Sequence, residues 1–165
     1  MYKVGYTQGV FDMFHVGHLR LINHAKDQCE LLIVGVNSDS LVQRYKNKVP
    51  IINESDRAEI VSNLKAVNQV KIVDTLDKIE IYNDIHFDAI FIGDDWKGNT
   101  RWSQTEKDLA VYDVPVVYLP YTKNISSTLL KSFIIPPPPS KISHHDNIYN
   151  LYFDCTYKLW IIFCL

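Results

Sequence analysis

"GVFDMFHVGH", residues 9–18, decides how this chain is read. It follows a short apolar run, Val4 to Tyr6, that reads as a strand. It leads into Val16 to Gln28, where Leu19, Ile22 and Ala25 recur on one face of a helix. A strand, a tight turn and a helix N-terminus therefore meet at the motif. Free N–H groups and the helix dipole make such a place attractive to anions. Gly9 and Gly17 let backbone approach a ligand closely. His15 and His18 stand three apart, so on a first helical turn they point the same way. Two imidazole donors beside a helix end suit an α-phosphate, where charge builds on the non-bridging oxygens as phosphorus becomes five-coordinate. An isolated H-x-x-H is more often a pair of surface or capping histidines. Gly, Phe, Asp, His, Gly and His at fixed spacing is a chance match of roughly 10⁻⁶ in a chain of this length.

Outward from the motif, apolar runs alternate with helical periods. Leu31 to Val36, "LLIVGV", is a continuous apolar strand of the kind buried on both faces of a parallel sheet. A polar loop is expected over Asn37 to Asn53, then a helix from Glu54 to Ala66 capped by Asn53 or Ser55. Val70 to Val73 reads as a strand and Asp77 to Asp84 as a short helix. "DAIFIG", Asp88 to Gly93, is a further buried strand. "SQTE", Ser103 to Glu106, has capping-box spacing and is expected to open a helix reaching Val111. Val116 to Leu119 supplies a fifth strand, and a last helix starts at Ser126. The pattern predicts an α/β fold with a Rossmann-like, doubly wound, five-stranded parallel sheet, whose ligands bind beyond the carboxyl ends of the strands. The catalytic domain is expected to span residues 1–133. From Ile134 four consecutive prolines lead a tail, 134–165, to which no chemistry is assigned; His144 and His145 in it read as an incidental polar pair.

Composition narrows the function classes. The 165 residues suffice for one full hydrophobic core. Lys plus Arg number 17 against 19 Asp plus Glu, a net charge of -2, so no basic face for nonspecific nucleic-acid binding is expected. Three cysteines without a C-x-x-C spacing suggest neither a disulfide framework nor a zinc site, and Cys29 reads as a buried thiol. No run is apolar enough to span a bilayer and no leader pattern opens the chain, so a cytoplasmic location is expected.

"GVFDMFHVGH" resembles the H-x-G-H signature of the nucleotidyltransferase superfamily, specifically the cytidylyltransferases. "YTKNISSTLLK" resembles the family's segment opening the last helix, and "IGDDWKG" with "VVYLP" is similar to the glycerol-3-phosphate cytidylyltransferases. The resemblance covers about residues 1–133. It implies transfer of CMP from CTP to glycerol 3-phosphate, giving CDP-glycerol and pyrophosphate for teichoic acid or capsule polymers. It further implies a magnesium ion with the CTP and a homodimer, without a dedicated side-chain metal motif. Carried over residue by residue, His15 and His18 stabilise the transition state, with Lys46 and Lys48 reaching the phosphates. Gly9, Val10, Phe11, Asp12 and Gly17 line the nucleotide, with Asp12 beside phosphates and metal. Gly93, Asp94 and Asp95 face the base or ribose. Tyr121, Thr122, Asn124 and Ile125 lead into Ser126, Ser127 and Thr128 on the β- and γ-phosphates. Lys46, Arg57 and Lys78 contact the acceptor.

The chain departs from that pattern at four places. Tyr121 stands where the resemblance expects arginine and Asn124 where it expects glycine; Lys65 replaces an arginine and Asn68 an aspartate. A tyrosine carries no charge, so one triphosphate contact is weakened or supplied from elsewhere, with Arg101 and Lys123 as candidates. Other readings remain open. "GVNSD" followed by a basic segment also resembles sugar-phosphate adenylyltransferases that activate heptose. Phosphocholine and phosphoethanolamine are further acceptors, and a nucleotide-binding domain without turnover is the non-enzymatic alternative. His24 and His86 match no motif; Trp96 is expected to wall the nucleotide and Trp102 to be core.

Overall fold

The computed structural model describes residues 1–134, and the proline-led tail from 135 onward lies outside the described residues. The elements run β1 (Tyr2–Gly9), α1 (Val16–Lys26), β2 (Cys29–Asn37), α2 (Asp39–Lys46), α3 (Glu54–Ser62), β3 (Gln69–Val73), α4 (Lys78–Ile85), β4 (Ala89–Gly93), α5 (Thr100–Ala110), β5 (Val116–Leu119) and α6 (Ser127–Ile134). One 3₁₀ turn, Asp94–Trp96, follows β4. All strand pairs are parallel, in the order β3-β2-β1-β4-β5. The order reverses between β1 and β4, so the crevice beyond their carboxyl ends is the natural ligand site.

The sheet separates two apolar cores. On one face α1 and α3 contribute Ile22, Ala25 and Val61, packed on Leu32, Val34, Val36 and Phe91. On the other, α4 and α5 bring Ile81, Trp102 and Leu109 onto Tyr6, Ile90 and Ile92. The alternation of Ile90, Phe91 and Ile92 between the two cores is the two-residue period of a strand covered on both sides. Cys29 is a free, buried thiol at the start of β2. No helix among the described residues is long and apolar enough to cross a membrane.

Three expectations are corrected. The loop expected over 37–53 contains α2, which Ser38 starts by accepting the Leu41 N–H at 3.0 Å; Asn47 closes it in the left-handed region at φ 51°. The helix α3 stops at Ser62, four residues short of Ala66. The helix α5 begins at Thr100, because Asn99 caps it through the Arg101 N–H at 3.0 Å; "SQTE" lies inside the helix rather than at its start.

Candidate active site

The turn after β1 folds around two left-handed residues, Phe11 at φ 55° and Met13 at φ 50°. Side chains in that region are uncommon and mark a backbone held by its surroundings. Here Phe11 is buried in the core and Asp12 is clamped. The Asp12 carboxylate accepts N–H bonds from Ile51 and Ile52, each at 3.0 Å, and pairs with the Lys131 ammonium at 2.6 Å. Burial opposes its ionisation, but Lys131 and the two amides outweigh that and hold its carboxyl below the usual range. Asp12 was expected beside phosphates and metal. Its oxygens are instead spent on holding three segments together, and among the described residues no three His, Cys, Asp or Glu side chains form a metal cluster.

His15 is the N-cap of α1. Its Nδ1 accepts the Gly17 N–H at 3.1 Å, which places the proton of the neutral ring on Nε2. A Cβ at residue 17 would lie 2.9 Å from the His15 ring, so this cap requires glycine there. The His15 and His18 rings stack with centroids 3.8 Å apart. Phe11 and Phe14 flank His18 at 5.3 and 5.5 Å. Burial, with a smaller contribution from His15, pushes His18 down to about 3, and burial lowers His15 too. Both imidazoles are therefore neutral near pH 7, which leaves each with an N–H and no charge. His18 Nδ1 is buried without a partner.

The pair opens into a cavity of about 530 Å³ at the carboxyl ends of β1 and β4. The structure brings to its walls Gly9, Val10, Phe11, Asp12, Gly17, Lys46, Lys48, Lys78, Gly93, Asp95, Tyr121, Thr122, Ile125, Ser126, Ser127 and Thr128 beside the two histidines. Trp96 and Trp102 line it as well; Trp102 is also core. A Cβ at residue 93 would lie 2.4 Å from Asp95 Oδ1, so a side chain there would displace the Asp95 carboxylate.

Three expected site residues lie outside that lining. Arg57 is fully buried and donates to the carbonyls of Ile52 and Val10 while pairing with Asp39. It braces the two loops that carry Asp12 and Lys48 and does not face the cavity. Asp94 accepts the Tyr121 N–H at 3.0 Å, tying the turn after β4 to the loop after β5. Asn124 takes φ 66°, the left-handed conformation that Asn adopts more readily than most residues, which accounts for its standing in for glycine. Two of the hydroxyls are also partly engaged: Ser126 Oγ caps the Leu129 N–H, and Ser127 donates to the Asp12 carbonyl at 2.6 Å. Asn68 accepts from the Leu32 N–H and the Lys26 ammonium, a structural tie between α1 and the sheet, while Lys65 is exposed.

Sequence reading missed several cavity residues. Lys131 adds a cation; Arg101, expected as a substitute for the charge that Tyr121 lacks, lines the cavity too. Gln8 and Asn37 end β1 and β2 and bond to one another at 2.8 Å, with Asn37 reaching the Tyr45 hydroxyl at 3.1 Å. Lys131 had a signal: it lies one helical turn past Ser127, on the same face.

A doubly wound sheet, with a neutral histidine pair at a helix N-terminus among several cations, defines a nucleotide-handling α/β protein of the nucleotidyltransferase type. Residues 6–133 match the family model Cytidylyltransferase-like, and the chain belongs to that family. It is 41% identical over 95 residues to the Bifunctional protein HldE of Hyphomonas neptunium, covering 57% of this chain and 20% of that protein. The HldE of Paramagnetospirillum magneticum is 38% identical over 95 residues, with the same coverage. The chain thus spans about a fifth of the length of these relatives. The fold is shared with the lipopolysaccharide core biosynthesis protein of Thermoplasma volcanium, at 23% identity and a TM-score of 0.62, over 76% of this chain and 100% of that one. It is shared too with a pantothenate synthetase of Thermus thermophilus, at 17% identity and a TM-score of 0.56, over 78% and 61%.

Proposed function

We propose that the chain transfers a nucleotidyl group from a nucleoside triphosphate to a sugar phosphate, releasing pyrophosphate, with ATP as donor and a heptose-type phosphate as acceptor. The observation that carries the transfer chemistry is the stacked, neutral His15–His18 pair at the N-terminus of α1. In this reading an oxygen of the acceptor phosphate attacks the α-phosphorus, and the bond to the bridging oxygen of the β-phosphate breaks. His15 Nε2–H and His18 donate to the non-bridging oxygens where charge grows. Lys46 and Lys48 balance the remaining phosphate charge, with Thr128 and the free amides of α6 on the β- and γ-phosphates. Magnesium would accompany the triphosphate and offset its charge. No protein carboxylate is assigned to it.

Two features support the sugar-phosphate acceptor over glycerol 3-phosphate. "GVNSD" with the basic segment behind it resembles the sugar-phosphate adenylyltransferases, and the relatives at 38–41% identity carry the name HldE. A second reading, CTP with glycerol 3-phosphate, is favoured by the resemblance of "IGDDWKG" to the glycerol-3-phosphate cytidylyltransferases. Pyrophosphate release from ATP or CTP, each with a heptose phosphate, glycerol 3-phosphate, phosphocholine or phosphoethanolamine, separates the two. Activity with ATP and the heptose phosphate is expected. Activity confined to CTP and glycerol 3-phosphate would establish the second reading instead.

A further inference from the structure

Gln8, Asn37 and Tyr45 line the cavity beside the carboxyl ends of β1 and β2, and the transfer chemistry leaves all of them unused. They form a chain of hydrogen bonds with a fixed direction. Gln8 Nε2 donates to Asn37 Oδ1 at 2.8 Å and to the Thr75 carbonyl at 2.9 Å. A backbone carbonyl only accepts, so the Gln8 atom facing Thr75 is the amide nitrogen, and that sets the orientation of the side chain. The Asn37 atom toward Gln8 is then its acceptor, Oδ1, and Nδ2 faces the Tyr45 hydroxyl at 3.1 Å. Asn37 is only 3% exposed, so water offers its amide little reason to turn over.

The Tyr45 oxygen therefore accepts from Asn37, and its own hydrogen points elsewhere. Among the described residues no group accepts that hydrogen. Burial raises the Tyr45 phenol above its ordinary value, so the hydrogen is retained near neutral pH. One O–H donor is left at the cavity wall, and leaving such a group unpaired is costly once a ligand displaces water. Its surroundings are neutral: two side-chain amides and the Thr75 carbonyl, which repels an anion. Phosphate charge is better answered by Lys46, whose ammonium lies 5.4 Å from the centre of the Tyr45 ring. A neutral donor in this setting matches a neutral oxygen, such as the hydroxyl or ring oxygen of a sugar. In the strand order β3-β2-β1-β4-β5 this donor lies on the β2 side of β1, whereas Gly93 and Asp95, expected at the base or ribose, lie past the end of β4. A nucleotide placed there leaves the β2 side to the second substrate.

We propose that Tyr45 determines acceptor specificity by donating its hydroxyl hydrogen to an oxygen of the acceptor's hydroxyl-bearing body, with Gln8 and Asn37 as positioning residues that aim it into the cavity. The proposal rests on nucleotidyl transfer to a polyol phosphate for the nature of the second substrate. It favours acceptors with an oxygen at that place over one ending in an ammonium, which can only donate.

The test is calorimetric titration of the full chain, loaded with the α,β-methylene analogue of ATP or of CTP, with a heptose phosphate, glycerol 3-phosphate and inorganic phosphate. Tyr45→Phe is expected to weaken the polyol phosphate that the wild type binds more tightly by roughly three- to tenfold, the loss of one neutral hydrogen bond. Inorganic phosphate should change by less than about twofold. Asn37→Asp keeps the side-chain shape but puts an acceptor opposite Tyr45, which draws the phenol hydrogen out of the cavity. Beside Asn37→Asp, Tyr45→Phe should cause no further loss; comparing the two backgrounds removes the effect of the added charge, and a Tyr45 that only packs would give the same loss in both. If Asn37→Asp does not fold, the contrast between polyol phosphate and inorganic phosphate in Tyr45→Phe decides alone. The proposal is overturned if the wild type binds neither polyol phosphate, if Tyr45→Phe leaves the better one unchanged, if it weakens inorganic phosphate equally, or if its loss persists beside Asn37→Asp. Failure of the parent reading looks different: the polyol phosphate binds and depends on Tyr45, yet no pyrophosphate is released from ATP or CTP.

Discussion

Lys131, on the last described helix, reaches the carboxylate of Asp12, in the turn after the first strand, at 2.6 Å. The pair ties the turn after β1 to α6 at the wall of the cavity. Asp12 also holds the amides of Ile51 and Ile52, so one carboxylate fixes the histidine turn, the segment behind the basic residues and α6. Lys131→Met should cost roughly 1.5–3 kcal/mol in urea unfolding, the range for a hydrogen bond to a charged group. Asp12→Ala should cost more, because it frees two amides and strands an ammonium. Equal stability of both variants and the wild type would show that the clasp carries no weight.

Arg57 gives a sharper stability prediction. Its guanidinium is fully buried and satisfied by two carbonyls and Asp39. Arg57→Ala removes one member of a buried pair and leaves the others unpartnered, a loss of about 3 kcal/mol or more. Thermal unfolding checks this: the variant should melt well below the wild type, and a substrate-contacting arginine would instead leave the melting temperature nearly unchanged.

The histidine pair makes stability depend on pH. The ordinary histidine pKa is 6.5, and His18 sits near 3 in the fold. Between those values the unfolded chain binds a proton that the folded one does not, so stability rises with pH and falls on acidification through that window. The free protein should lose stability from pH 6.5 to 4.5, and His18→Gln should flatten that slope. An identical slope in the variant would place the titration elsewhere.

Lys78 predicts an alkaline effect on the acceptor. With its pKa near 8, it loses its charge above that pH in the free enzyme. The kcat/KM for the acceptor should therefore fall above about pH 8, since that parameter reports free-enzyme ionisations. Lys78→Arg should move the fall to higher pH, because arginine stays protonated. A profile unchanged by that substitution contradicts the role.

How far the sequence reaches is clear from particular residues. The five strands and the histidine turn were legible, because long apolar runs and a six-residue spacing are local signals. The helix α2 was not: "DSLVQRYK" offers only Leu41 and Val42 as buried anchors, and its polar remainder reads as loop. The helix α5 starts early because Asn99 competes with Ser103 as a cap, and either satisfies the local rule. Arg57 is expected at the ligand, whereas it donates to the carbonyl of Val10, 47 residues away in sequence, a contact that no local pattern encodes. Arg101 could be named only as a substitute for Tyr121; its place on the cavity wall depends on how α5 packs beside α4.

The central claim is that His15 and His18 are transition-state donors to an α-phosphate. The most direct test is pyrophosphate release by His18→Ala, with nucleotide binding measured alongside. The account predicts a fall in kcat of about 10² or more, as for loss of a preorganised donor, with nucleotide affinity broadly kept. Near-normal turnover by His18→Ala would contradict it.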